Sequence, residues 1–150
     1  MRVLIQRVSS ASVTIDRQVK STIDAGLLVF LGVEIEDDQS DVDWLARKVA
    51  NLRIFADTEG VMNKSVIDTN GEVLVISQFT LQASTKKGNR PSYIKAAKPE
   101  ISIPLYESFV KQIGIETSQE VKAGEFGADM KVELVNDGPV TIWIDSKNKE

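Results

Sequence analysis

Glu72-Val73-Leu74-Val75-Ile76-Ser77-Gln78-Phe79-Thr80-Leu81 is the stretch on which the fold turns. Its first half is a run of β-branched and apolar residues, the composition of a buried strand. Its second half changes character, with the side chains of Ser77, Gln78 and Thr80 set around Phe79. A buried strand that ends in hydroxyls and an amide delivers polar groups to a place where they are wanted. Asn70-Gly71 is a turn signal leading into it, so a strand is expected over residues 72–81. A second stretch, Asn136-Asp137-Gly138-Pro139-Val140-Thr141, looks like its counterpart.

Working outward, residues 1–8 and 11–15 read as strands, and 18–23 as a third across a tight turn at Asp16-Arg17. Gly26 to Val33 is a continuous apolar run, the pattern of a strand buried on both faces. A helix follows. Ser40 with Asp43 has the form of a capping box, and Val42, Leu45, Val49 and Leu52 recur at helical spacing beside Trp44. Glu34, Glu36, Asp37, Asp38, Asp41 and Asp43 crowd the start of that helix, where its dipole favours negative charge. That role accounts for them, and no metal is expected. Residues 52–55 read as a short strand or helix exit. Residues 82–100 read as a loop of a length usually tied to function or mobility. Ser102 as cap and Pro104 in the first turn open a second helix, with Leu105, Phe109 and Ile113 on one face and Gly114 as its stop. Residues 116–121, 128–135 and 140–145 read as strands, and 146–150 as a frayed polar tail. Strands outnumber helices, and their connections are short. The expectation is an α+β fold, an antiparallel sheet that is curled or barrel-like with two helices packed against it. At 150 residues one domain over 1–150 is expected.

Composition removes whole classes of chemistry. There is no Cys and no His, hence no disulfide, no zinc-thiolate site and no Ser-His or Cys-His dyad. Any catalysis runs without the usual general base, and no cofactor is expected. No apolar run approaches the ~20 residues that span a membrane. The opening stretch is too short and too charged for a signal peptide, so the expected location is cytoplasmic. A net charge of -4 and a pI near 5.0 argue against wrapping nucleic acid over a large face. They allow a local basic cluster, and Lys86, Lys87, Arg90, Lys95 and Lys98 form one with no acid among them.

Each candidate site stretch has a plain reading and a functional one. Ser and Thr hydroxyls are weak nucleophiles without a base. The turn around Ser77-Gln78-Phe79-Thr80 can instead aim backbone N–H groups at one spot, the arrangement that stabilises an oxyanion in acyl transfer. The plain reading is that these side chains satisfy backbone groups at a strand end, and taken alone the four residues fit it better. Asn136-Asp137-Gly138-Pro139 is either a hairpin turn or a rigid backbone wall. Lys86, Lys87, Arg90 and Tyr93 combine charge, a planar guanidinium and a ring, which suits phosphate and nucleotide contact. A solvated basic loop is the plainer alternative.

Together these stretches resemble one family from end to end. The opening Met1-Arg2-Val3-Leu4-Ile5-Gln6-Arg7-Val8, with Ala11-Ser12-Val13, is similar to the start of D-aminoacyl-tRNA deacylases. Ser77-Gln78-Phe79-Thr80-Leu81 is identical to that family's first signature. Gly88-Asn89-Arg90-Pro91-Ser92-Tyr93 is similar to its central loop. Gly124-Glu125-Phe126-Gly127-Ala128-Asp129-Met130 and Asn136-Asp137-Gly138-Pro139-Val140-Thr141 resemble its C-terminal signature. The resemblance implies hydrolysis of the ester between a D-amino acid and the terminal ribose at the tRNA acceptor end. It also implies a homodimer with its active sites at the subunit interface. In that reading Ser77, Gln78, Phe79 and Thr80 line the reaction centre. Gly138 and Pro139, joined by a cis bond, enter the partner's site as a wall. Phe126 and Met130 sit near the pocket, and Arg7 supports the Gly-Pro turn. Lys86, Lys87 and Arg90 are the expected tRNA contacts. A wall against L side chains would still admit glycine, so glycyl-tRNA is an expected second substrate.

Overall fold

The computed structural model describes residues 1–149. Where two strands were expected at the start there is one, β1 (Arg2–Ile15). Ser9 does not break it but forms a bulge, since Val8 faces Asn136 and Ser10 faces Val135 on the neighbouring strand. β2 (Gln18–Ile23) returns through the expected turn, where Asp16 and Arg17 both take positive φ, 49° and 65°, as a two-residue type I′ hairpin demands. β3 (Gly26–Gly32) then pairs antiparallel with the first half of β1.

The chain leaves the sheet for α1 (Gln39–Ala50) and a small hairpin of β4 (Phe55–Ala56) and β5 (Met62–Lys64). It re-enters at the end where β3 began, so β6 (Glu72–Ser77) runs parallel to β3. After α2 (Pro99–Thr117) the same geometry makes β7 (Lys122–Ala123) parallel to β6. β8 (Lys131–Asp145) closes the order, antiparallel to β1 along most of its length. The curled α+β sheet with two packed helices is as expected, but the sheet is mixed rather than wholly antiparallel.

Strand alternation divides the core in two. Leu27, Val29, Leu31, Val73 and Val75 point to one face and meet Val42, Leu45 and Val49 of α1 and Phe109 and Ile113 of α2. Leu28, Leu74 and Ile76 point to the other and meet Val8, Val13 and Ile23. The helices therefore cover one face, and the sheet's own far end curls over the other. The Ser21 hydroxyl donates to the Ala123 carbonyl at 2.8 Å, drawing β2 across to β7. Among the described residues no helix is long and apolar enough to cross a membrane.

Several boundaries differ from expectation for identifiable reasons. The N-cap of α1 is Asp38, not Ser40. Its carboxylate accepts from the Ser40 N–H at 2.8 Å, and Asp41 completes the box by accepting from the Asp38 N–H at 3.0 Å. α2 begins at Pro99, whose missing N–H costs nothing at a first helical position. Ser102 is buried and donates to the Lys98 carbonyl. The helix runs through Gly114 because Ile113 and Thr117 are both buried; Ser118, at φ 56°, ends it. Residues 116–121 are therefore helix end and loop rather than strand. The tail is anchored as far as it is described. Ser146 is buried, its N–H donates to the Met1 carbonyl at 2.8 Å, and its hydroxyl donates to Asp41 at 2.7 Å. The Met1 amino group pairs with the buried Asp37, and Lys147 reaches Asp41 at 2.7 Å. Glu150, the last residue of the expected tail, lies outside the described residues.

Candidate active site

β6 stops at Ser77, and its polar continuation is not strand. The Gln78 N–H still donates to the Leu31 carbonyl at 2.7 Å, but Phe79–Gln82 wind into a single 3-10 turn capped by Gln78. The first N–H to find an acceptor inside this turn is that of Leu81, on the Gln78 carbonyl at 3.2 Å. The preceding N–H groups, those of Phe79 and Thr80, have no acceptor within it, as at any helix start. Two adjacent donors are therefore presented at the end of a buried strand. The side-chain amide of Gln78 donates to Thr80 Oγ1 at 2.6 Å and fixes the turn across its mouth.

Three contacts hold this turn in place. Gln82 is 1% exposed, and its amide nitrogen donates to the Gly32 carbonyl at 3.0 Å. Arg2 donates to the Leu81 carbonyl at 3.1 Å while its Nε is paired with Asp145 at 2.8 Å. Gly32 lies beneath: a Cβ there would stand 2.9 Å from both the Gln78 carbonyl oxygen and the Leu81 Cβ. Arg2, Gly32 and Gln82 were not singled out from the sequence. Only Gly32, a glycine closing an apolar strand, gave any signal.

Ser77, Gln78 and Phe79 share a cavity of ≈ 270 Å³ with Phe126 and Met130. Phe126 stands edge-on to Tyr106 at 5.9 Å, and the Tyr106 hydroxyl donates to the Val75 carbonyl at 3.0 Å. Burial pushes the Tyr106 hydroxyl up to about 12, so it remains a neutral donor. Phe79 is 57% exposed and meets Tyr93 edge-on at 5.1 Å. Tyr93 comes from the basic loop, which is pinched at its base where Ser84 and Ser92 exchange N–H···O bonds at 2.8 and 2.9 Å. Lys86, Lys87 and Arg90 are exposed on the loop so formed.

Gly138 and Pro139 lie elsewhere in the chain. The stretch expected to break β8 is not a hairpin: Thr141 faces Gln6 and Asn136 faces Val8, so residues 137–140 bulge out opposite Arg7 alone. The Gly138–Pro139 bond is cis and Gly138 has φ 128°. Arg7 Nε donates to the Asp137 carbonyl at 3.1 Å and pairs with its carboxylate at 3.0 Å, and Arg7 Nη1 donates to the Ile54 carbonyl. Asn136 spans the bulge, donating to the carbonyls of Arg7 and Val140, both at 2.9 Å. A Cβ on Gly138 would stand 2.9 Å from Arg7 Nη2. Arg7 thus contacts the stretch that carries Gly138 and Pro139 through Asp137. The 3-10 turn, by contrast, is tied to Arg2, five residues or about 17 Å away along β1. One copy of the chain does not bring Gly138 and Pro139 to Ser77–Thr80.

The fold defines a class, a curled α+β barrel in which a polar strand end runs into a 3-10 turn whose first two N–H groups have no acceptor within it. The chain belongs to the D-Tyr-tRNA(Tyr) deacylase family, whose model matches residues 4–145. It is 67% identical over all 150 residues, and over the whole of the relative, to a D-aminoacyl-tRNA deacylase of Bacteroides fragilis (strain YCH46). It is 65% identical, again over both full lengths, to that of Flavobacterium psychrophilum. Among solved structures it superposes on a c-Myc DNA Unwinding Element Binding Protein with TM-score 0.91 and 41% identity, covering 97% of this chain and 98% of the other. A probable eukaryotic D-amino acid tRNA deacylase shares the fold at TM-score 0.81 and 15% identity, over 95% and 97% of the two chains.

Proposed function

We propose that this chain hydrolyses the ester joining a D-amino acid to the terminal ribose of tRNA, and so removes D-amino acids before translation uses them. Full-length identity of 67% to a D-aminoacyl-tRNA deacylase carries the reading. The chemistry of the site agrees with it. An aminoacyl ester is already labile, so positioning and oxyanion stabilisation suffice without His. The N–H groups of Phe79 and Thr80 hold the carbonyl oxygen, and each such donor is worth roughly 10²–10³ in rate. Water, assisted by the neighbouring ribose 2′-hydroxyl, attacks. Ser77 and Gln78 line the reaction centre, with Phe126 and Met130 beside it. Lys86, Lys87 and Arg90 contact acceptor-end phosphates. The chain works as one domain, in the cytosol, where aminoacyl-tRNA is used.

Selectivity comes from exclusion. An attractive apolar pocket separates ligands by only about 10–200-fold per methylene, whereas a fixed wall rejects an L side chain whatever its size. Gly138 and Pro139, held by Arg7 and Asn136, are that wall, supplied by a second copy of the chain. Supporting this, β8 pairs among the described residues with β1 alone, leaving a 15-residue edge open, and long open edges are normally covered.

The test is deacylation of D-tyrosyl-, L-tyrosyl- and glycyl-tRNA by the purified protein. The D-tyrosyl and glycyl esters should be cleared and the L-tyrosyl ester spared. Cleavage of the D ester with glycyl-tRNA untouched would remove the wall; no cleavage at all would favour a second reading. That reading is a nucleic-acid-binding protein without catalysis, raised by the likeness, at 41% identity, to a c-Myc DNA Unwinding Element Binding Protein.

A further inference from the structure

Gly32, Arg2 and Asp145 stand side by side on β3, β1 and β8, each the register partner of the next. All three bear on the 3-10 turn, two directly and one through its neighbour. The Gly32 carbonyl accepts from the Gln82 side-chain amide at 3.0 Å. Arg2 Nη1 donates to the Leu81 carbonyl at 3.1 Å. Asp145 holds Arg2, one carboxylate oxygen accepting from Nε at 2.8 Å while the other accepts from the Lys147 N–H at 2.9 Å. The Trp143 ring flanks the guanidinium, 5.7 Å from its centroid. The side chains of Arg2 and Asp145 are 23% and 11% exposed, so solvent screens this ion pair less than one at the open surface.

The Leu81 carbonyl belongs to the closing end of the turn, where carbonyls lack a partner within the helix and a cation is favoured. The N–H groups of Phe79 and Thr80 are at its opening end. The turn is four residues long, so holding its closing carbonyl fixes where its opening donors aim. The planar guanidinium engages the Asp145 carboxylate and the Leu81 carbonyl at once, which the single ammonium of a lysine is poorly shaped to do. We propose that Arg2 is a positioning residue for the ester hydrolysis: oriented by Asp145, it aims the Phe79 and Thr80 N–H groups at the carbonyl oxygen. This rests on the deacylase reading, which puts the ester at those donors. Arg7, the other arginine of β1, holds the Gly138–Pro139 bulge instead. Rate and chiral selectivity are thereby assigned to different arginines of one strand.

The experiment measures D-tyrosyl-tRNA cleavage at a temperature where every variant is folded. Arg2→Met should lower kcat about 10–100-fold, the range for a misaimed catalytic contact, and leave KM within about twofold of wild type. Its preference for D- over L-tyrosyl-tRNA should be unchanged. Arg2→Lys should recover part of the loss. Asp145→Asn should lower kcat by less, and should add nothing to Arg2→Met, because Asp145 acts through Arg2. The amide NMR signals of Phe79 and Thr80 should shift in Arg2→Met while that of Gly138 stays. If Arg2→Met does not fold, Arg2→Lys and Asp145→Asn carry the same comparison of kcat, KM and amide signals. An unchanged kcat, a loss carried by KM, no recovery with lysine, additive kcat losses, or unmoved Phe79 and Thr80 signals would overturn the assignment. So would sedimentation showing that the variant falls apart into single chains, which would route the loss through the subunit contact. Failure of the wild type to cleave D-tyrosyl-tRNA would count against the deacylase reading, and the amide signals would still decide whether Arg2 aims the turn.

Discussion

Thr80 carries a hydroxyl on the 3-10 turn of the candidate site, and its hydrogen bonding argues against a nucleophile. The Gln78 amide donates into Thr80 Oγ1 at 2.6 Å, drawing electron density from the oxygen that would have to attack. No hydrogen bond or ion pair of the described residues brings a carboxylate or a lysine to that hydroxyl, and the chain has no His to deprotonate it. Thr80→Ala should therefore keep activity within about tenfold of wild type, because the backbone N–H survives the substitution. A trapped acyl-Thr80 adduct, or a loss comparable to removing an oxyanion donor, would show the hydroxyl to be the attacking group. Ser77, Gln78, Phe79 and Thr80 stand out in the sequence because a polar cluster closing an apolar strand is a local pattern, but only the family resemblance gives them a role. Arg2 and Gly32 were not, because each acts on the 3-10 turn from a distant part of the chain, and Gln82 was not, because its anchoring bond to the Gly32 carbonyl is a tertiary contact.

Elements were legible where local and tertiary demands agree. The apolar run of β3 and the tight turn at Asp16-Arg17 that leads into β2 state their own conformation. α2 passes through Gly114 because burial of Ile113 and Thr117 outweighs the propensity cost of one glycine, about 1 kcal/mol. Residues 136–139 have turn chemistry, yet both flanks are registered on β1, so the turn becomes a bulge within β8. The end of β8 also sets an acid dependence. Burial pushes the Asp145 carboxyl up, but the Arg2 hydrogen bond and the Lys147 N–H outweigh it and hold the group below the usual aspartate value of 3.8. At Asp41 burial is likewise overcome, by Lys147 and Ser146. A carboxyl depressed in the folded state stabilises fully above its unfolded value and loses that contribution as pH falls through the folded one. Asp37 has the opposite sign: burial raises it despite the Met1 amino group, so its share declines as pH rises above 3.8. Asp145→Asn should therefore lower the urea midpoint at pH ~7 and show a smaller drop than wild type between pH ~7 and ~3. An unchanged drop would mean that Asp145 contributes nothing to the acid limb.

At the scale of the whole molecule, the chain holds the two stretches proposed for its site apart, one at the start of β1 and one near its middle. The 3-10 turn is tied to Arg2, and the Gly138–Pro139 bulge to Arg7. Val135 at 58% and Trp143 at 49% exposure lie on the strand that carries the bulge. A two-fold pairing of copies would cover that strand and bring each bulge to the other copy's turn. Sedimentation at micromolar concentration should accordingly give twice the chain mass, and Val135→Lys should shift it toward one chain while lowering kcat. A fully active monomer would refute the shared site. None of this was visible in composition or periodicity; it enters through long-range strand register, which a single sequence does not display. That register has a further consequence. A gate built on a free loop is only as accurate as the loop is still, and its discrimination fades as it warms. Here residues 137–140 are fastened on both sides to the same rung-by-rung ladder, so the proposed wall is set the way a mark is set on a ruler. Its fidelity should persist for as long as β1 and β8 stay paired, and fail together with them rather than before.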